Sequence, residues 1–313
     1  MTSTVAAAEV EPRVRTRCPV CAGRSRPLAG ACPDAWLCSS CAHTYVGRLP
    51  TKVELDAAYA KYAYDDAEVR ERFLPSFLDA ILEDLVRSFE PHRGRGRFLD
   101  VGFGDGGFLR VAKRLGWDTH GIEFSPAAVE AARARGLGTL HAGDFSTVPL
   151  EAASFDVVVM SEVIEHLLEP MTFLLRAAEV LRPGGLLYMT TPHGRGVSGR
   201  TLGGSWSVLC PPEHLQLYSI ESMRRSLVEA GFSKPRVFTQ GILPHEIVAK
   251  LRARVRPPDP SHLADDPFAR VSRSQDLNAR FESGRLARVV KRAANGALRA
   301  ARVGDSLRVR AIR

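Results

Sequence analysis

Apolar positions along this chain change their period twice. From Phe98 onward they come in short runs, first "FLDV" (98–101) and later "FDVVVM" (155–160), rich in β-branched residues. Runs of that length and composition predict strands covered on both faces, as in a parallel sheet. Phe98 to Val101 reads as a strand, Gly102 to Gly107 as a glycine-rich turn, Phe108 to Leu115 as a helix and Thr119 to Glu123 as a second strand. Upstream the spacing becomes helical. Leu74, Leu78, Ile81, Leu82, Leu85 and Phe89 share one helix face, and "TKVELDAAYAKYAYDD" opens with Thr51 and Glu54 at capping-box spacing. These two helices are read as connecting or covering the main domain.

The 313 residues leave room for one large α/β domain and a small appendage. No run approaches the ~18 apolar residues of a membrane span. "MTSTVAAAEVEPRVRTR" has no apolar core before a cleavage site, so a cytoplasmic location is expected. The net charge of +8 is uneven. Leu251 to Arg313 holds 15 basic and 6 acidic residues, net +9, and the first 250 hold 28 and 29, net −1. A near-neutral body argues against nucleic acid as the partner.

Before Thr51 the informative residues are cysteines. Cys18 and Cys21 form one Cys-x2-Cys knuckle, Cys38 and Cys41 another, and 16 residues separate them. Four thiolates at this spacing close the shell of a structural Zn²⁺ and leave no position for catalysis. A reducing compartment disfavours the alternative, a pair of disulfides. A ribbon this short cannot bury a core, so the metal would supply its folding energy. The expected domains are a zinc-ribbon-like module over 1–50, a helical linker or cap over 51–92, and a catalytic domain over 93–313.

The stretch "FLDVGFGDGGFLRVAKRLGWDTHGIEF" carries two glycine patterns at once. Gly102, Gly104 and Gly107 satisfy the dinucleotide fingerprint, and Asp100 to Gly106 also reads D-x-G-x-G-x-G. With "AGDF" (142–145), "LRPGGLLYMTTP" (181–192) and "GDSLRVRAI" (304–312), the chain resembles class I S-adenosylmethionine-dependent methyltransferases. The resemblance implies a Rossmann-like α/β fold with a seven-stranded sheet and an antiparallel last strand. It also implies S-adenosyl-L-methionine as cofactor. Gly102, Gly104 and Gly106 would approach its methionine moiety, and Asp100 would help hold the amino group. Glu123 would bind the ribose hydroxyls with Phe124 beside it. Asp144 would take the adenine amino group, and Phe145 would offer its backbone amide and a flat wall.

"SEVIEHLLEP" follows the strand "FDVVVM" and places Glu162, Glu165 and His166 at i, i+3 and i+4, one face of a helix. Ser161 and Glu162 should border the transferred methyl group at the topological switch point. The run resembles O-methyltransferases of ubiquinone biosynthesis and those of small-RNA 3′ ends. In the latter, Glu-x-x-Glu-His and a distant histidine bind a divalent cation that grips two adjacent hydroxyls. His214 in "PPEHLQLYS" is the counterpart of that histidine here. Three readings stay open: a second divalent cation at Glu162, Glu165, His166 and His214; a metal-free catalytic set of His166, His214 and Glu165; and a purely structural helix start.

"TPHGRGVSGRTLGGSWSVLCPPEHLQLYS" reads as a long mobile loop over the acceptor, with His193, Trp206, His214 and Tyr218 as contacts. Between Ile242 and Val303 lies an insertion with a basic amphipathic helix (284–301), read as docking on its own domain, with peripheral membrane contact as the alternative. The expected function is O-methylation of a small metabolite: a sugar, a quinone or a natural product. Three rivals are weighed. Deoxysugar C-methyltransferases share the zinc-bearing start but carry a further C-terminal domain. RNA methyltransferases have different knuckles. A non-catalytic cofactor-binding interaction protein would not need the intact glycine loop.

Overall fold

Three short antiparallel strands, β1 (Ser25–Pro27), β2 (Ala35–Cys38) and β3 (Thr44–Val46), fold the cysteine segment into a small sheet. The structure is a computed structural model and describes residues 13–32, 34–59, 76–242, 247–248 and 285–313. Helix α1 (Lys52–Tyr59) begins as its capping box requires. The Thr51 N–H donates to Glu54 Oε2 at 2.8 Å, and the Glu54 N–H returns to Thr51 Oγ1 at 3.3 Å. Helix α2 (Ser76–Arg87) lays Leu82 and Leu85 against the main domain, whereas Ile81, expected on that face, is 41% exposed. Glu83 ties α2 down through Arg114 at 2.6 Å.

The main domain alternates strands and helices as the periodicity predicts. Its elements are β4 (Arg97–Val101), α3 (Gly107–Arg114), β5 (Asp118–Glu123), α4 (Pro126–Ala134), β6 (Thr139–Ala142), β7 (Phe155–Ser161), α5 (Pro170–Val180) and β8 (Leu181–Pro192). There follow α6 (Val197–Leu202), β9 (Gln216–Leu217), α7 (Ile220–Glu229), β10 (Ser233–Gln240), α8 (Arg285–Ala301) and β11 (Ser306–Ile312). Seven strands form one sheet in the order β10-β11-β8-β7-β4-β5-β6. Only β11 runs against its neighbours, β8 and β10. The first and fourth strands of the domain, β4 and β7, lie side by side, and the crevice between their C-terminal ends is the expected ligand position.

The apolar run in β7 is explained by burial on both sides. Val158 and Met160 enter one core with Ile164, Leu174, Leu187 and Leu227, and Val157 and Val159 enter the other with Phe89, Phe98, Val111 and Tyr188.

The ribbon is not a separate module. Strand β9, from the segment beyond β8, pairs antiparallel with β3 (Thr44 opposite Leu217, Tyr45 opposite Gln216) and completes the small sheet. Ala35, Val46 and Leu49 from the ribbon side share one core with Leu202, Trp206, Leu209, Leu215 and Leu217. The boundary expected at residue 50 therefore runs through a continuous interior, because three strands of three or four residues cannot bury a face alone. The segment after β8 is likewise no mobile loop. His193, Trp206 and Tyr218 are buried to 1% exposure or less.

In the basic insertion, most of 242–284 lies outside the described residues. Helix α8 docks on β10 through its C-terminal half, with the Thr239 hydroxyl donating to Leu298 O at 3.1 Å and Arg299 lying 4.3 Å over the Phe238 ring.

Candidate active site

The glycine loop joins β4 to α3 in a conformation few other residues adopt. Gly102, Gly104 and Gly106 have φ of 69°, 52° and 77°. A Cβ on Gly102 would lie 2.6 Å from Val163 Cγ2, so the loop is pressed against the turn that follows β7. Glu123, at the end of β5, holds the loop from the other side. Its Oε2 accepts the Gly104 N–H at 2.9 Å and its Oε1 the Ser125 N–H at 3.1 Å.

Two further acids converge here. Asp100 is 2% exposed, and burial, then the charges of Asp105 and Glu123, hold its carboxyl well above the usual range. Burial also raises Asp105, whose buried Oδ2 has no hydrogen-bond partner. Three crowded carboxyls suit a ligand that brings an ammonium group and hydroxyl donors. A cofactor with an amino acid moiety and a ribose fits that requirement.

On the far side, Asp144 is exposed and its Oδ1 accepts from the Ser146 N–H at 2.7 Å, shaping the turn after β6. Phe145 departs from expectation. Its ring is 1% exposed and packs edge-on to Phe173 at 5.5 Å, so its side chain belongs to the core rather than to a cofactor wall. The open aromatic face is that of Phe124, 59% exposed beside Glu123.

The segment after β7 turns rather than forming a helix. Ser161 Oγ lies 2.8 Å from Thr190 Oγ1, and Glu162 adopts a left-handed φ of 54°. A single 3₁₀ turn then spans Ile164–His166. The turn's carbonyls are engaged by a distant segment. Glu165 O accepts the Leu215 N–H at 2.9 Å, and Ile164 O and Leu167 O accept from Gln216 Nε2.

That turn buries Glu165 completely. The Thr191 hydroxyl donates to Oε2 at 2.9 Å, Oε1 lies 4.0 Å from His166 Nε2, and the carboxyl shares a hydrogen bond with that of Glu162. Burial, then the neighbouring Glu162 carboxylate, pushes Glu165 well above the carboxylate range.

His214 arrives from 48 residues away in sequence, its ring 4.4 Å from that of His166 and nearly perpendicular to it. Its Nδ1 donates to Val208 O at 2.6 Å, which leaves Nε2 with the lone pair. Burial keeps both imidazoles neutral, His166 down to about 3. One ligand atom from each of Glu165, His166 and His214 lies within 4.8 Å of the others, a set able to hold a divalent cation. Glu162, expected in that set, is not among those three ligands; its carboxyl, raised by burial, hydrogen-bonds with Thr190 and Glu165. Thr191, Gln216 and the Val208 carbonyl orient the trio, and no sequence motif marked them.

The four cysteines also converge. Cys18 Sγ lies 3.6 Å from Cys41 Sγ, and Cys21 Sγ lies 3.5 and 3.4 Å from those of Cys38 and Cys41. A disulfide would require about 2.05 Å. A tetrahedral zinc with bonds near 2.3 Å spaces its sulfurs by roughly 3.8 Å, so the cluster fits an ion at its centre. Cys32 belongs instead to the shared core.

A family model described as a methyltransferase domain matches residues 70–234. The chain belongs to the methyltransferase-domain family. Among curated relatives, this chain is 32% identical over 180 residues to a ubiquinone biosynthesis O-methyltransferase of Parvibaculum lavamentivorans, covering 52% of the chain and 66% of the relative. It is 35% identical over 130 residues to the protein of that name from Cereibacter sphaeroides, covering 37% and 52%. The chain thus spans between half and two thirds of these relatives. A solved Haemonchus contortus phosphoethanolamine N-methyltransferase 2, in complex with phosphomonomethylethanolamine and S-adenosylhomocysteine, superposes with a TM-score of 0.55 at 18% identity. The match covers 86% of this chain and 62% of that one, a likeness of fold alone.

Proposed function

We propose that this protein transfers a methyl group from S-adenosylmethionine to a hydroxyl of a small acceptor bearing adjacent hydroxyls. In this reading a divalent cation sits at Glu165, His166 and His214, and a structural zinc sits at Cys18, Cys21, Cys38 and Cys41. The observation that carries the reading is the buried Glu165 beside two neutral imidazoles, one ligand atom from each within 4.8 Å of the others, on a turn pressed against the glycine loop. The printed names of the curated relatives support O-methylation.

The cofactor supplies an electrophilic methyl on a sulfonium, and transfer is an in-line displacement in which alignment is the main task. Gly102, Gly104 and Gly106 would admit the methionine moiety, Asp100 would accept from its ammonium, and Glu123 from the ribose hydroxyls. Phe124 and Asp144 would meet the adenine. Val163 packs on Gly102 and so fixes the separation between cofactor loop and acceptor turn. The cation would lower the proton affinity of a hydroxyl it contacts. Glu162, hydrogen-bonded to Glu165 and raised by burial, would be placed to take that proton. A metal-free role for His166 as base is disfavoured, since an imidazole held down to about 3 is a poor proton acceptor near neutral pH.

The test is elemental analysis before and after dialysis against a mild chelator, paired with methyl transfer from labelled cofactor to catechol and sugar-diol acceptors. Two metals are expected, one removable and absent from Glu165→Gln. A single tightly held zinc with unimpaired transfer would leave the trio as metal-free pocket residues.

A further inference from the structure

His43 follows the second cysteine knuckle and is completely buried. Its Nε2 lies 3.3 Å from Gln216 Oε1 and its Nδ1 lies 3.3 Å from Ser222 Oγ. The carbonyl oxygen of Gln216 can only accept, so Nε2 carries the hydrogen and Nδ1 receives one. The same amide then donates in the other direction, to Ile164 O at 3.2 Å and Leu167 O at 3.0 Å. These two carbonyls flank Glu165 and His166. One residue earlier, the Leu215 N–H donates to Glu165 O at 2.9 Å, while Leu215 O accepts the Val46 N–H from the ribbon at 3.0 Å. The Ser219 hydroxyl closes the circuit on Cys41 O at 2.5 Å.

A buried glutamine between two main-chain carbonyls is an expensive way to fill space. It is tolerated when every donor and acceptor is used, as both ends of this amide are. Such a fully satisfied bridge fixes geometry more sharply than an apolar side chain of equal volume.

We infer that Gln216 is a positioning residue through which the four-cysteine ribbon sets the arrangement of Glu165, His166 and His214. Loss of ribbon metal would then be felt in the acceptor site, at atoms no cysteine touches. The inference rests on the reading of that trio as a cation site, and its test keeps the two apart.

Full-length wild type, Q216M, H43F and the double variant are compared with the ribbon zinc in place and its stoichiometry measured. Mn²⁺ binding is followed by electron paramagnetic resonance and S-adenosylmethionine binding by calorimetry. Each single change should weaken Mn²⁺ binding roughly tenfold, the usual effect of losing an outer partner of a metal ligand. Because both act through one link, the double variant should be no weaker than the worse single. Zinc content and cofactor affinity should not move. Mn²⁺ affinity within twofold of wild type, or fully additive losses, overturns the inference. If Q216M fails to fold, Q216N, with its amide one methylene short, replaces it under the same expectations.

If wild type binds no Mn²⁺ that E165Q abolishes, the cation reading fails on its own. The link is then read from hydrogen exchange over residues 162–170. Non-additive loss of protection in the two variants sustains it, and unchanged or additive protection overturns it.

Discussion

Thr191 tethers one oxygen of Glu165, with its hydroxyl 2.9 Å from Oε2, and leaves Oε1 aimed toward His166. The threonine stands near the end of β8 and the glutamate on the turn after β7, so adjacent strands fix a carboxylate whose second oxygen is available to a ligand. Replacing Thr191 by valine keeps the shape and removes the tether. Divalent-cation affinity should fall roughly tenfold, with a stability loss of about 1 kcal/mol. Titration with Mn²⁺ beside a thermal melt decides it. Unchanged affinity would show that Glu165 is aimed by packing alone.

The glycine loop offers a second test. Gly104 combines a φ of 52° with an N–H committed to Glu123. Valine there should cost about 1–3 kcal/mol of backbone strain and obstruct the cofactor. Calorimetry should find S-adenosylmethionine binding weakened roughly tenfold or more, while far-UV circular dichroism stays that of the folded chain. Binding as tight as wild type would move the cofactor away from this loop.

Removing the zinc proposed for the four cysteines should reach further than the N-terminus. Since β3 pairs with β9 and the two segments share a core, C18S together with C38S should abolish zinc and lower the melting midpoint of the entire domain. A domain that melts as wild type after zinc loss would mean the ribbon contributes nothing beyond itself.

Acid should weaken the fold through its buried imidazoles. Burial holds His43 near 3 and His193 near 4, against 6.5 when exposed. The unfolded chain takes up these protons near pH 6.5 and the folded chain only near 3 to 4. Their contribution is therefore complete above pH 6.5 and is lost as pH falls toward 4. Glu165 and Asp100, with raised values, run the opposite way and favour the folded state at lower pH. A single-site comparison isolates the sign. H193N, whose amide can still reach Gly304 O, should lose about 2 kcal/mol less than wild type between pH 7 and 5. Equal losses would refute the burial argument.

The sheet was legible because its signals are local. Val157 to Met160 must be apolar on both faces, and the loop glycines must take left-handed angles. His214 was legible only as a family counterpart, and the structure brings it to His166. In place of the helix expected over Glu162 to His166 there is one 3₁₀ turn, whose carbonyls also accept from Leu215 and Gln216 about 50 residues away, partners that no local period marks. Phe145 was assigned to a cofactor wall because its position was readable and its side-chain direction was not. The partnership of ribbon and β9 left no trace, since a two-residue strand has no period to detect.

The two-residue strand β9 also bears on where the chain can be cut. A fragment starting at residue 93, the boundary composition suggests, would lose β3 and leave the backbone of Gln216 and Leu217 as an open edge. Trp206, Leu215 and Leu217, now almost fully covered, would lie beside it. An unpaired edge flanked by bare aromatic and aliphatic surface is a template for association between copies. Such a fragment should come out of expression as aggregate rather than as a smaller soluble protein, so the practical unit of this protein begins at its cysteines.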